Sequence, residues 1–168
     1  MDHPQAKVVL EDAGIRVQSM KMLYEKLYEA PAFTEIPVKD YIPALVDAII
    51  ANFPKKDMVR TEKDIEDFSL PTQVIQPLGI IVNELLTNIM KYAIVGKNSG
   101  LIIVSLKHHN GLVSLIVRDD GNGMPENMDF SNTTGFGLRP IKAITEQLNS
   151  TIPIKRSGGT KFVLEFNQ

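Results

Sequence analysis

Three prolines set the first bounds on what this chain can build. A proline ring fixes φ and lacks an N–H, so it ends a helix or opens its first turn. Before Pro31, Val8, Val9, Ile15, Val17, Met20, Leu23 and Leu27 fall near helical spacing, which predicts a helix from about Gln5 to Glu29. Between Pro31 and Pro54 a second helix is predicted from Val38 to Asn52, with Tyr41, Leu45, Ala48 and Ile49 on one face. Pro71 opens a long apolar helix that runs to about Ala93. Met58 to Glu62 and Ile65 to Leu70 read as short strands.

Beyond Ala93 the period drops to two. Leu101 to Lys107 and Leu112 to Asp119 read as strands joined by the turn signal His109-Asn110-Gly111. A polar segment from Asp120 to Thr134 follows, then a helix from about Gly137 to Asn149. Strands at Thr151 to Lys155 and Lys161 to Phe166 flank Ser157-Gly158-Gly159. The first third is therefore all helix and the rest mixed, with the division between Phe53 and Val59. Residues 1–53 read as a helical segment and 54–168 as an α+β domain, a two-layer sandwich with helices on one face of a mixed, mostly antiparallel sheet.

Composition narrows the function. The chain has 168 residues, 43% hydrophobic and 23% charged, which suits a globular domain and excludes disorder or coiled coil as whole-chain readings. With no cysteine, disulfides, thiolate metal sites and cysteine nucleophiles are excluded, and three histidines alone argue against structural zinc. Eighteen basic against twenty acidic residues do not favour nucleic acid or an anionic membrane. The N-terminus is polar and no apolar run reaches spanning length, so a cytoplasmic location is expected.

Four features carry chemistry. On the long helix, Glu84, Asn88 and Lys91 form a narrow stripe bordering an apolar face, while Asn83 points away from it. A solvated edge with helix-stabilising pairs is the plainer account of this stripe alone. The functional account is a carboxylate that orients a reactant, an oxygen ligand for Mg²⁺ and a phosphate-facing cation. Next, period two puts Asp119 on the apolar face of its strand and Asp120 on the polar one. A carboxylate aimed at a core needs a partner. It either caps the Gly121-Asn122-Gly123 turn or accepts from the amine of a flat buried ligand. Gly121 and Gly123 would let the backbone approach such a ligand closely. Third, Thr134-Gly135-Phe136-Gly137-Leu138 stands at a helix start, where free N–H groups can meet an anion, though a plain loop explains it as well. Fourth, Gly158-Gly159-Thr160 leads into the last strand and by itself is a turn.

Taken in order, the four resemble the Bergerat ATP-binding domain of sensor histidine kinases, gyrase B subunits, MutL-type repair proteins and a heat-shock chaperone family. Asn83 to Ala93 looks like its N box, Asp119 to Gly123 its first glycine box, Gly135 to Leu138 its second, and Gly159-Thr160 its Gly-Thr near the adenine. The resemblance covers roughly Met58 to Gln168. The Asn-Glu-Leu-x-x-Asn-x-x-Lys-Tyr-Ala pattern is similar to a short-lid subgroup of histidine kinases. Ala13 to Met20 and Leu23 to Tyr28 resemble that subgroup's second dimerisation helix, and Lys39 to Phe53 its connecting helix.

The resemblance implies Mg-ATP between the Asn88 helix and a lid from Met124 to Thr134. Asp119 would accept from adenine N6, with Thr160 at the base edge and Gly121 and Gly123 close by. N–H groups of Gly135 and Gly137 would meet the phosphates, with Leu138 closing that box. Lys91 would offset phosphate charge, Asn88 would bind Mg²⁺, and Glu84 would orient the nucleophile. The implied partners are an acceptor-histidine helix of the same full-length kinase, a response-regulator receiver domain and a second copy of the chain. Three departures stand out. No histidine here has acceptor context, so the acceptor is expected outside this sequence. Ile89 stands where the family has a small alanine and would crowd Asn88, and Arg139-Pro140 follows Leu138. The rival readings are a serine kinase of the anti-sigma type on the same fold, and a non-catalytic nucleotide-binding or dimerisation module.

Overall fold

The computed structural model describes residues 4–28, 34–124, 126 and 138–168. Helix α1 (Pro4–Tyr28) leads into strand β1 (Glu35–Pro37) and helix α2 (Val38–Ala51). Strands β2 (Val59–Ile65) and β3 (Ser69–Pro71) precede helix α3 (Thr72–Asn88). Then come β4 (Gly100–His109), β5 (Leu112–Asp119), α4 (Leu138–Gln147), β6 (Ile154–Lys155) and β7 (Lys161–Asn167). The main sheet has the order β2-β4-β5-β7-β6. Only β2 and β4 pair in parallel; the other neighbours are antiparallel. Parallel neighbours need a crossover, and α3 supplies it. The sheet is mixed and mostly antiparallel, with its helices on one face, and the two-layer α+β expectation holds.

Alternation builds the core. Ile102, Val104 and Leu106 of β4, Val113, Leu115 and Val117 of β5, and Phe162, Leu164 and Phe166 of β7 are all buried on one face. Against them lie Leu78, Ile81, Val82 and Leu85 of α3, Leu138 and Ile141 of α4, and Leu45 and Ile49 of α2 in a single cluster. Residues from both sides of the 53/54 division thus share one core. Helix α1 packs on α2 and α3. It buries Leu27 but exposes Val9, Leu10, Val17, Tyr24 and Tyr28.

The hairpin signal is met by Asn110 and Gly111, both at positive φ (51° and 78°). Four details differ from the sequence reading, the first being strand β1 within a third expected to be all helix. The two short strands expected over 58–70 are one strand to Ile65, then Ser69–Pro71 in a separate ribbon antiparallel to β1. Arg60, Glu62, Lys63 and Asp64 hide the strand period there, because an edge strand tolerates charges that an inner one does not. The strand expected from Thr151 shrinks to Ile154–Lys155, since Pro153 has no N–H for a ladder. Finally, the long helix is not α-helical to Ala93: its last turn, Ile89–Ala93, is a π-turn.

Candidate functional site

Three motifs meet where β5 ends. Period two turns Asp119 inward, and it is 1% exposed. Its Oδ1 accepts from the Gly121 N–H at 2.8 Å, while Oδ2 has no hydrogen-bond partner. Burial pushes its carboxyl pKa up; backbone hydrogen bonds from Gly121 and Thr160 and the nearby Lys97 oppose the rise, and the Asp120 charge adds to it. Asp120 has another task. Its Oδ1 accepts from the Leu101 N–H at 2.8 Å, and its carbonyl accepts from Lys97 Nζ at 2.7 Å, so it pins the start of β4.

The glycines allow the chain segments to touch. A Cβ on Gly121 would lie 2.4 Å from the Ala93 oxygen, and one on Gly159 2.0 Å from the Asp119 oxygen. Gly123 (φ 78°) and Gly159 (φ 111°) also occupy the left-handed region. Thr160 is buried, and its Oγ1 accepts from the Met124 N–H at 2.7 Å.

Helix α3 brings Glu84 (3% exposed) and Asn88 (6% exposed) into the protein body. The π-turn then changes the phase. The Ile94 N–H donates to the Ile89 carbonyl five residues back, at 3.3 Å. Tyr92 and Ala93 thereby join Asn88 and Ile89 in walling a narrow cleft, completed by Asp119, Gly123, Met124, Thr160 and Phe162. Its walls are largely apolar, and Asp119 Oδ2 and Asn88 Nδ2 are buried there without partners. A ligand that shows apolar surface to these walls and a polar edge to those two atoms is what such a lining suits.

The structure therefore gathers Asn88, Asp119, Gly123 and Thr160 around one cleft, with Gly121 behind it. Ile89 stands beside Asn88 in the cleft wall. Glu84, Lys91 and Leu138 do not line the cleft; Leu138 is buried at the start of α4. Gly135, Gly137 and the lid, Met124 and Glu126 excepted, lie outside the described residues. Sequence reasoning missed Tyr92, Ala93 and Phe162 as walls, while Met124 stands there as the expected start of the lid. Phe162 was findable, since it shares the inward face of β7 and pairs with Val117. Asn83, expected away from the stripe, is buried as well, and its amide has no partner. Among the described residues no cluster of three or more histidine or carboxylate side chains could hold a metal. Asn88 offers a single amide, which suits a Mg²⁺ ion held mainly by phosphate and water.

This constellation defines a nucleotide-binding ATPase fold. The chain belongs to the family of histidine kinase-, DNA gyrase B- and HSP90-like ATPases, whose model matches residues 73–168. Residues 1–53 match a second model, described as histidine kinase. The chain is 24% identical over 148 residues to blue-light-activated histidine kinase 2 of Erythrobacter litoralis (strain HTCC2594), covering 85% of this chain and 42% of that protein. In structure it resembles the histidine kinase domain of the Erythrobacter litoralis EL346 blue-light-activated histidine kinase, with a TM-score of 0.81 at 23% identity over 93% of this chain and 74% of that one. It also resembles Acinetobacter baumannii histidine kinase AdeS, with a TM-score of 0.65 at 18% identity over 98% and 80%. At these identities the structural likenesses concern the fold. No helix among the described residues is long and apolar enough to cross a membrane.

Proposed function

We propose that this chain is the catalytic portion of a two-component histidine kinase, which moves the γ-phosphoryl of Mg-ATP to a histidine outside this sequence. The observation that carries the reading is the buried, half-satisfied carboxylate of Asp119, set in an apolar cleft beside Asn88. Oδ2 would accept from the exocyclic amine of adenine, which fixes the base. Thr160 holds Met124 against the base edge. Gly121 and Gly123 would let the backbone lie close to the base, and the N–H groups of Gly135 and Gly137, outside the described residues and followed by Leu138, would take the phosphates. Asn88 would give one oxygen to Mg²⁺, which neutralises phosphate charge when bound, and Lys91 would add a cation. Glu84 would hold the attacking imidazole in line as its nitrogen bonds to phosphorus and ADP leaves. Catalysis is then positioning plus charge stabilisation.

Two histidines of this chain are poorly placed to accept. His109 pairs with Leu112 at the far end of the hairpin. The eight residues of β5 separate that end from Asp119, about 23 Å at ~3.3 Å per residue. His108 packs on Phe68, ring centroids 5.2 Å apart. In this reading residues 1–53 belong to the dimerisation region and 54–168 form the catalytic domain of a cytoplasmic homodimer. A receiver-domain aspartate takes the phosphoryl group next.

The test supplies the acceptor in trans. This chain, with labelled ATP and a longer version of the kinase whose own ATP site is disabled, should yield acid-labile, base-stable label on the longer partner. Glu84→Ala should reduce transfer at least tenfold more than it reduces ATP affinity. Acid-stable phosphoserine would favour the anti-sigma-type reading. ADP binding without any transfer would favour a non-catalytic module. Label on His3, His108 or His109 of the isolated chain would overturn the external acceptor.

A further inference from the structure

The π-turn that walls the cleft is held from outside its own helix. A helix end leaves carbonyls without intrahelical donors, and a π-turn is a rare, locally imposed geometry. Here one such carbonyl, and one in the turn just beyond it, are met by a single residue of the glycine-rich loop. The Asn122 N–H donates to the Ala93 carbonyl at 2.9 Å. Its side-chain Nδ2 donates to the Val95 carbonyl at 2.8 Å. The first contact is possible because Gly121 has no Cβ to strike Ala93. Asn122 itself is exposed and does not line the cleft. Sequence reading gave it no role beyond filling a turn.

The structure assigns Asn122 as a positioning residue: a cap that the glycine-rich loop places on the end of the nucleotide-site helix, keeping Ile89, Tyr92 and Ala93 turned toward the cleft. Relaxing the last turn to α geometry would change the phase of residues 89–93 and withdraw Tyr92 from its wall position. The same clasp makes the walls opposite each other interdependent. Asp119 and Asn122 are three residues apart, so a base drawn onto Asp119 presses on a loop already tied to the facing helix. This inference rests on the nucleotide reading above.

Two variants separate hydrogen bonding from shape. Asn122→Ala removes the side-chain donor and keeps the backbone bond. Asn122→Asp keeps the shape and sets a carboxylate against the Val95 carbonyl. ADP titration by calorimetry should show affinity reduced about 3- to 10-fold for Asn122→Ala, the scale of one modest hydrogen bond, and reduced further for Asn122→Asp. In nucleotide-free protein, amide exchange should quicken for residues 89–97, the Ile94 N–H above all, with the β4–β5–β7 strands unchanged. A merely structural surface residue would not give that local pattern. Wild-type affinity in Asn122→Asp, or exchange that quickens evenly through the sheet, would overturn the assignment. Failure of the wild-type chain to bind ADP would instead overturn the nucleotide reading beneath it.

Discussion

At Asp119 the demands of binding and of stability oppose each other. Burial raises its native pKa above the ordinary carboxylate value. Only between the unfolded and native pKa values does the native state keep a proton that the unfolded chain has released. Stability from this group falls as pH rises from the unfolded value through the native one, and stays lost above it. Near neutral pH, Asp119→Asn should raise the melting temperature of nucleotide-free protein, and the gain should close as pH is lowered toward the unfolded value. The same variant should weaken ATP binding by about 1.5–3 kcal/mol, the scale of a hydrogen bond to a charged group; calorimetry and thermal scans on one sample check both signs. Asp120→Asn, whose carboxylate serves the Leu101 N–H, should cost binding far less. The metal assignment has its own test. Asn88→Ala should lower ATP affinity mainly with Mg²⁺ present, and Lys91→Ala with or without it; an equal loss for Asn88→Ala in chelator contradicts the ligand role. Asp119 was legible because strand periodicity is rigid: one glance at Val113, Leu115 and Val117 fixes which face it shares. Tyr92 was not, because the π-turn shifts the helical phase and nothing in Ile89-Met90-Lys91-Tyr92-Ala93 announces it.

At the scale of elements, the glycines divide by what surrounds them. Gly159→Ala meets both a left-handed backbone and the Asp119 oxygen at 2.0 Å, so it should destabilise by about 2 kcal/mol or more, through strain in that backbone region. Gly14 lies within α1 with nothing near a new Cβ. Gly14→Ala should therefore stabilise α1 by about 0.5–1 kcal/mol, seen as slower amide exchange along that helix. Denaturant titration of the two variants should give shifts of opposite sign. Helices were the easiest elements to read: prolines and apolar spacing put α1, α2 and the start of α3 within a residue or two of their observed ends. The strands at 59–71 were harder, because Ser69–Pro71 pairs with β1 and not with the main sheet. Pairing between segments so far apart leaves no local trace.

For the whole molecule, α2 decides what can be removed. The helix buries Val38, Tyr41, Ile42, Leu45, Val46, Ile49 and Ile50. At about 1.5–3 kcal/mol for each fully buried large side chain, their loss matches or exceeds the whole stability of a typical domain, about 5–15 kcal/mol. A chain starting at residue 34 should unfold cooperatively and bind ADP, whereas one starting at 54 should show no cooperative transition by circular dichroism. The functional division at 53/54 that we propose thus differs from the folding unit, which takes in α2. Among the described residues, β2 stands at the edge of the main sheet with no strand paired on its outer side. Arg60 and Glu62 pair with each other there at 2.8 Å, Lys63 reaches Asp47 of α2, and Asp64 meets Lys107 of β4. Exposed pairs of this kind add little stability. Their weight falls elsewhere: a second chain seeking to extend the sheet would have to strip water from four adjoining charges, so the open border resists runaway aggregation while remaining ordinary β-structure.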